Sequence, residues 1–172
     1  LLQRGCMPYV IASQTIPILA IAPMVIIWLG GGWTSVAVIS AYLTFFPVTI
    51  NTLRGLNSPD PQALELMHAY AASWWQVLWK LRVPAALPYI FTALKIAATA
   101  SVVGAIIGEL PSGMRGGLGR AILDFNSYYI TGPGRLWAAI LVSALVGIVF
   151  YVLIATLEYF AVRNRKAMQT AQ

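Results

Sequence analysis

Of 172 residues, 59% are hydrophobic and only 9% charged, the net charge is +6 and the mean hydropathy is +0.77. An ordinary soluble domain carries about 25% charged residues, so that class is excluded and the chain reads as an all-α polytopic membrane protein. On so apolar a chain the basic excess belongs at the ends of spans facing the cytoplasm rather than on a nucleic-acid surface, and no nucleic-acid partner is expected.

The chain opens Leu1-Leu2 rather than with methionine, and no signal peptide is visible. It is expected to be an N-terminally truncated transmembrane domain over residues 1–172, whose span count is a lower bound. Cys6 is the single cysteine, which leaves no internal disulfide or CxxC metal site and makes it a small apolar filler. Residues 5–53 carry no charge. That is too long for one crossing and enough for two, with Gly30-Gly31-Gly32 as the turn. The first span, 9–29, contains Pro17 and Pro23. Membrane helices tolerate and bend at proline, so this span is either a kinked packing helix or a broken segment lining a path. The second, 33–53, reaches about 31 Å at 1.5 Å per residue.

Residues 54–86 form a polar interruption. Ser58 and Asp60 each precede a proline, and either can cap a helix starting at Pro59 or Pro61 and running to about Tyr70. Ser73 with Gln76 three residues on is a capping box opening a second helix, which Pro84 and Pro88 are expected to close. The product is a helix–turn–helix carrying Glu65, His68, Lys80 and Arg82.

The third span, 87–110, holds two rows of small residues at four-residue spacing: Ala93, Ala97, Ser101 and Ala105, and Ala100, Gly104 and Gly108. Such rows let helix backbones approach closely in lipid, which puts this helix at the centre of a bundle or at a dimer interface. Lys95 near its cytoplasmic end is read as snorkelling to the headgroups in preference to binding substrate. Beyond it, Gly116, Gly117 and Gly119 lack the preceding strand and following Lys-Ser/Thr of a phosphate loop, so no nucleotide site is assigned. A short amphipathic helix is expected over 118–129 and a fourth span over 136–157, followed by Glu158 and by Arg163, Arg165 and Lys166.

Alternating spans place Arg4, Arg54, Lys80, Arg82, Arg163, Arg165 and Lys166 on one side, and Arg115, Arg120 and Arg135 on the other. The richer side is taken as cytoplasmic, which puts the 54–86 loop and the C-terminus inside the cell. Catalytic chemistry finds no footing. His68 is the single histidine, and the carboxylates Asp60, Glu65, Glu109, Asp124 and Glu158 make no acid/base or metal-ligand pair at helical spacing. Ser101 and Ser143 read as packing hydroxyls. No catalytic residue, metal site or cofactor is assigned.

The 54–86 segment resembles the cytoplasmic "EAA" loop of ABC-importer permeases. That pattern runs Glu-Ala-Ala, three residues, Gly, nine residues, then Ile-x-Leu-Pro. Glu65 takes the glutamate place, Ala71 the glycine place, and Leu81, Val83 and Pro84 the closing positions; Leu66 and Met67 replace the two alanines. Alanine resists a positive φ, so a less tight turn is expected at Ala71. The flanks IPILAIAPMVIIWLG and FFPVTINTLRG resemble permeases of the nitrate/sulfonate/taurine type and their vitamin-precursor relatives (thiamine pyrimidine, riboflavin).

The resemblance implies a type I (MetI-like) transmembrane domain in the plasma membrane that conducts a small solute without being an enzyme. Its implied partners are cytoplasmic ABC ATPase subunits, an extracytoplasmic solute-binding protein and a second permease copy forming a homodimer, all around a lipid bilayer. ATPase coupling is expected from Glu65, Met67, His68, Ala69, Ala71, Leu81, Val83 and Pro84. The path or its packing is expected from Pro17, Pro23, Ala97, Ser101, Gly104 and Gly108. Two rivals stand beside this reading. A secondary transporter or channel would show paired intramembrane charges, and a non-transporting scaffold would use the loop only as a docking site.

Overall fold

The computed structural model describes residues 17–114 and 116–169, the last eight as backbone only. Six helices follow in order: α1 (Ile18–Leu29), α2 (Trp33–Leu56), α3 (Pro61–Ala69), α4 (Trp74–Glu109), α5 (Leu118–Ser127) and α6 (Pro133–Gln169). The described residues contain no strand. The protein is an all-α polytopic membrane protein. Among the described residues three helices are long and apolar enough to cross a bilayer: α2, α4 and residues Pro133–Ala161 of α6. The 12-residue α1 covers about 18 Å on its own; residues 9–16 of the expected first span, like Cys6, lie outside the described residues.

Helices α2 and α4 run antiparallel and form the tightest pair. A Cβ added at Gly104 would lie 2.8 Å from the Ser40 Cα, and one at Gly108 3.1 Å from the Val36 Cα. At the other end, a Cβ on Gly55 would lie 2.7 Å from that of Tyr89. The rows of small residues thus let the two backbones close on one another along most of their shared length. Val36, Ile39 and Phe46 of α2 and Ala86 and Ala93 of α4 fill the seam. Outside it, α6 turns Leu141, Leu145, Ile148 and Leu153 outward. So continuous an apolar face is a liability in water and suits hydrocarbon.

The expected stop at Pro84 and Pro88 does not occur, because α4 continues through both prolines. The segment Leu78–Arg82 is a π-turn, and the N–H of Val83 bonds five residues back to the carbonyl of Leu78. A proline one residue later lacks an N–H and its ring crowds the carbonyl four residues earlier. The widened turn has already taken the local backbone out of that register, so a membrane helix and part of the polar loop become one rod of 36 residues.

Candidate functional site

The loop is built from local chemistry upward. Asp60 caps α3 by accepting from the N–H of Gln62 at 2.9 Å, with Pro61 in the first helical position. Ser73 and Gln76 form the expected reciprocal box: the Gln76 side chain accepts from the Ser73 N–H at 2.9 Å, and the Ser73 hydroxyl from the Gln76 N–H at 3.4 Å. Between the two helices the chain closes a Schellman turn. The Ala72 N–H bonds to the Met67 carbonyl and the Ala71 N–H to that of His68.

Ala71 carries φ +51° in that turn, the left-handed conformation usually given to glycine. The looser turn expected from an alanine is therefore not what forms. Two backbone hydrogen bonds hold the residue there despite its Cβ.

This hairpin stands on a fixed base. The Arg82 guanidinium donates to the Leu56 carbonyl and to Asn57 Oδ1, each at 3.4 Å. Asn57 donates back to Leu53 at 2.8 Å, and the Ser58 hydroxyl to Gly55 at 2.7 Å. The tip is bare by contrast. No residue of α3 is buried; Glu65, His68 and Ala69 are exposed, and Met67 is half-buried. Leu81, Val83 and Pro84 sit half-buried in the neck of α4, and Trp74, Trp75 and Trp79 are exposed beside them.

The residues expected along a path or its packing lie at the start of α1, within it, and along α4. Pro17 is the extended residue before α1, and Pro23 lies inside it with its side chain exposed. Gly104 and Gly108 press against α2. Ala97 and Ser101 are half-buried, and the Ser101 hydroxyl donates to the Ala98 carbonyl of its own helix at 2.9 Å.

Two features escaped the sequence. Lys95 does not reach out alone: its Nζ lies 2.7 Å from Glu158 Oε2 on α6. Glu109 is buried at 7% exposure and accepts from the N–H of Gly119 at 2.6 Å. Opposite charges near the same end of two antiparallel spans were the available signal for the first pair. For the second, the signal was an acid ahead of a glycine-rich helix start without a cap of its own. Among the described residues no group of three or more His, Cys, Asp or Glu side chains converges.

A family model described as binding-protein-dependent transport system inner membrane component matches residues 1–171. The chain is 39% identical over 169 residues to the formylaminopyrimidine transport permease protein ThiX of Halalkalibacterium halodurans, covering 95% of this chain and 64% of that protein. It is 34% identical over 162 residues to the riboflavin transport system permease protein RibX of Chloroflexus aurantiacus, covering 94% and 59%. To the putative aliphatic sulfonates transport permease protein SsuC of Bacillus subtilis it is 32% identical over 134 residues, covering 78% and 48%. The chain thus spans less than two thirds of the length of each of these relatives. With its membrane-length helices and the match along nearly its whole length, the chain belongs to the family of binding-protein-dependent transport system inner membrane components, the MetI-like permeases of ABC importers.

Proposed function

We propose that this chain is the translocation subunit of an ATP-driven importer, and that its 54–86 loop is where a cytoplasmic ATPase engages. The observation that carries the reading is α3: a helix with no buried residue, capped at its start and closed by a Schellman turn, on a base tied by Arg82. An exposed helix held this firmly has the properties of a docking element, since little ordering entropy remains to be lost on binding. The uninterrupted α4 then offers a rod from that element into the membrane. ATP hydrolysis belongs to the partner subunit. An external solute-binding protein and a second permease copy complete the assembly. A cytoplasmic loop and C-terminus are part of this reading, supported by the excess of basic residues on that side in the sequence.

Relatives named for formylaminopyrimidine and riboflavin transport align with more than nine tenths of this chain. A small nitrogen heterocycle is therefore the solute class to try first. The test is ATP hydrolysis by the assembled complex in proteoliposomes. Stimulation by a solute-loaded binding protein, with uptake of that solute, supports the proposal; uptake indifferent to ATP overturns it in favour of a secondary transporter or channel.

A further inference from the structure

We infer that Lys95 and Glu158 are a positioning pair that makes α6 travel with α4 when the loop moves, a role that rests on the importer reading above. The two residues lie 63 apart in sequence, and their charged atoms meet at 2.7 Å with side chains 21% and 24% exposed. The pair joins two helices that are otherwise incompletely packed. Between α4 and α6 runs an apolar groove of about 360 Å³, bordered by Thr99, Val102 and Ile106 on one side and Ser143, Gly147 and Tyr151 on the other. A Cβ added at Gly147 would meet nothing within 4 Å. On its other face α4 is closed against α2 at Gly55, Gly104 and Gly108. Interdigitation therefore fixes α4 to α2, whereas along the groove α6 lacks such a lock and is held at the loop-proximal end by charge.

Depth explains why that hold persists through a movement. Lys95 lies 14 residues from the end of α4 at Glu109, about 21 Å away, which leaves it about 9 Å inside the loop-side edge of a hydrocarbon layer about 30 Å thick. At that depth either charge alone reaches the headgroups only by snorkelling, and parting the pair breaks a charge-assisted contact between side chains 21% and 24% exposed. Displacement of α4 by the loop is thus accompanied by α6, because parting them costs more than moving them together. Arg120 and Asp124, a pair one helical turn apart on α5, have no such role, since their contact lies within their own helix.

The test uses the whole complex, with ATPase and binding protein, in proteoliposomes. Lys95→Gln and Glu158→Gln are expected to keep the ATPase bound and basal hydrolysis intact while solute-stimulated hydrolysis falls roughly tenfold. The doubly reversed variant, Lys95→Glu with Glu158→Lys, should recover most of that loss. Should single variants fail to insert, Lys95→Cys with Glu158→Cys, in a chain with Cys6 replaced, leaves no unpaired charge. That variant should be uncoupled, and bridging its thiols with a short bis-maleimide should restore stimulation. Wild-type stimulation in the neutral variants, no recovery on reversal, or loss of uptake on bridging overturns the pair's role alone. A wild-type complex without any stimulation overturns the importer reading and the pair's role with it.

Discussion

The carboxylate of Glu109, the last residue of α4, accepts a hydrogen bond at 2.6 Å from the N–H of Gly119, the second residue of α5. Helix α5 has Gly117 in its cap position and no capping side chain there, so an acid from the preceding helix supplies what Ser or Asp supplies elsewhere. The negative charge also suits the helix N-terminus. Room for it comes from glycine: a Cβ on Gly117, which has φ +127°, would lie 2.5 Å from the carboxyl carbon.

Glu109→Ala should therefore leave the Gly119 N–H buried and unpaired and destabilise the α4–α5 corner by about 1–3 kcal/mol. Glu109→Gln should lose less, because its amide oxygen still accepts. Gly117→Ala, which both clashes and strains, should cost at least as much as Glu109→Ala. Thermal unfolding in detergent, paired with protease sensitivity at residues 110–117, measures the order; equal stability in all three variants contradicts it.

At Ala71 the left-handed backbone costs an L-residue about 1–2 kcal/mol. Ala71→Gly removes that strain and adds about 0.4–1 kcal/mol of unfolded-chain entropy. The expected net effect is neutral to slightly stabilising. Ala71→Val should open the turn, since a β-branched residue fits that region poorly. Hydrogen exchange at the Ala72 amide, which closes the turn onto Met67, reads both: unchanged or slower in the glycine variant, faster in the valine one.

Gly104→Leu sets a branched side chain where a single added Cβ already lies 2.8 Å from Ser40 Cα. Separation of α2 from α4 and a loss of assembly are expected, with a cost of at least about 1–3 kcal/mol. Val102→Leu, facing the open groove toward α6, should be tolerated. Yield of monodisperse complex after detergent extraction separates the two; normal yield for Gly104→Leu contradicts the close-approach seam.

What the sequence revealed and what it hid divides by distance along the chain. Asp60, Ser73 and Gln76 declared their caps because each acts on a backbone group two or three residues away. The four-residue rows likewise announced a close approach, although not that α2 would receive Gly104 and Gly108. Pro84 misled for a local reason as well, since a π-turn just upstream lets the helix pass it, and Pro88 is carried inside the regular helix that follows. Lys95 with Glu158, and Glu109 with Gly119, depend on how separate helices meet. Each residue alone reads as a solvated or snorkelling charge, and only the packing brings its partner within reach.

The loop's docking role is tested most directly at Glu65. It is exposed on a helix with no buried residue, so Glu65→Lys should change the stability of the isolated subunit by no more than about 0.5 kcal/mol. In a docked interface a reversed charge facing a complementary partner costs several kcal/mol. The decisive measurement is solute-stimulated ATP hydrolysis by the purified complex, with the amount of ATPase retained determined in the same preparation. Membrane levels near wild type with the ATPase lost, or retained without stimulation, are expected for Glu65→Lys, and a milder effect for Gln62→Lys. Full retention and full stimulation in Glu65→Lys would contradict the docking role of Glu65 and move the coupling to other residues of the loop.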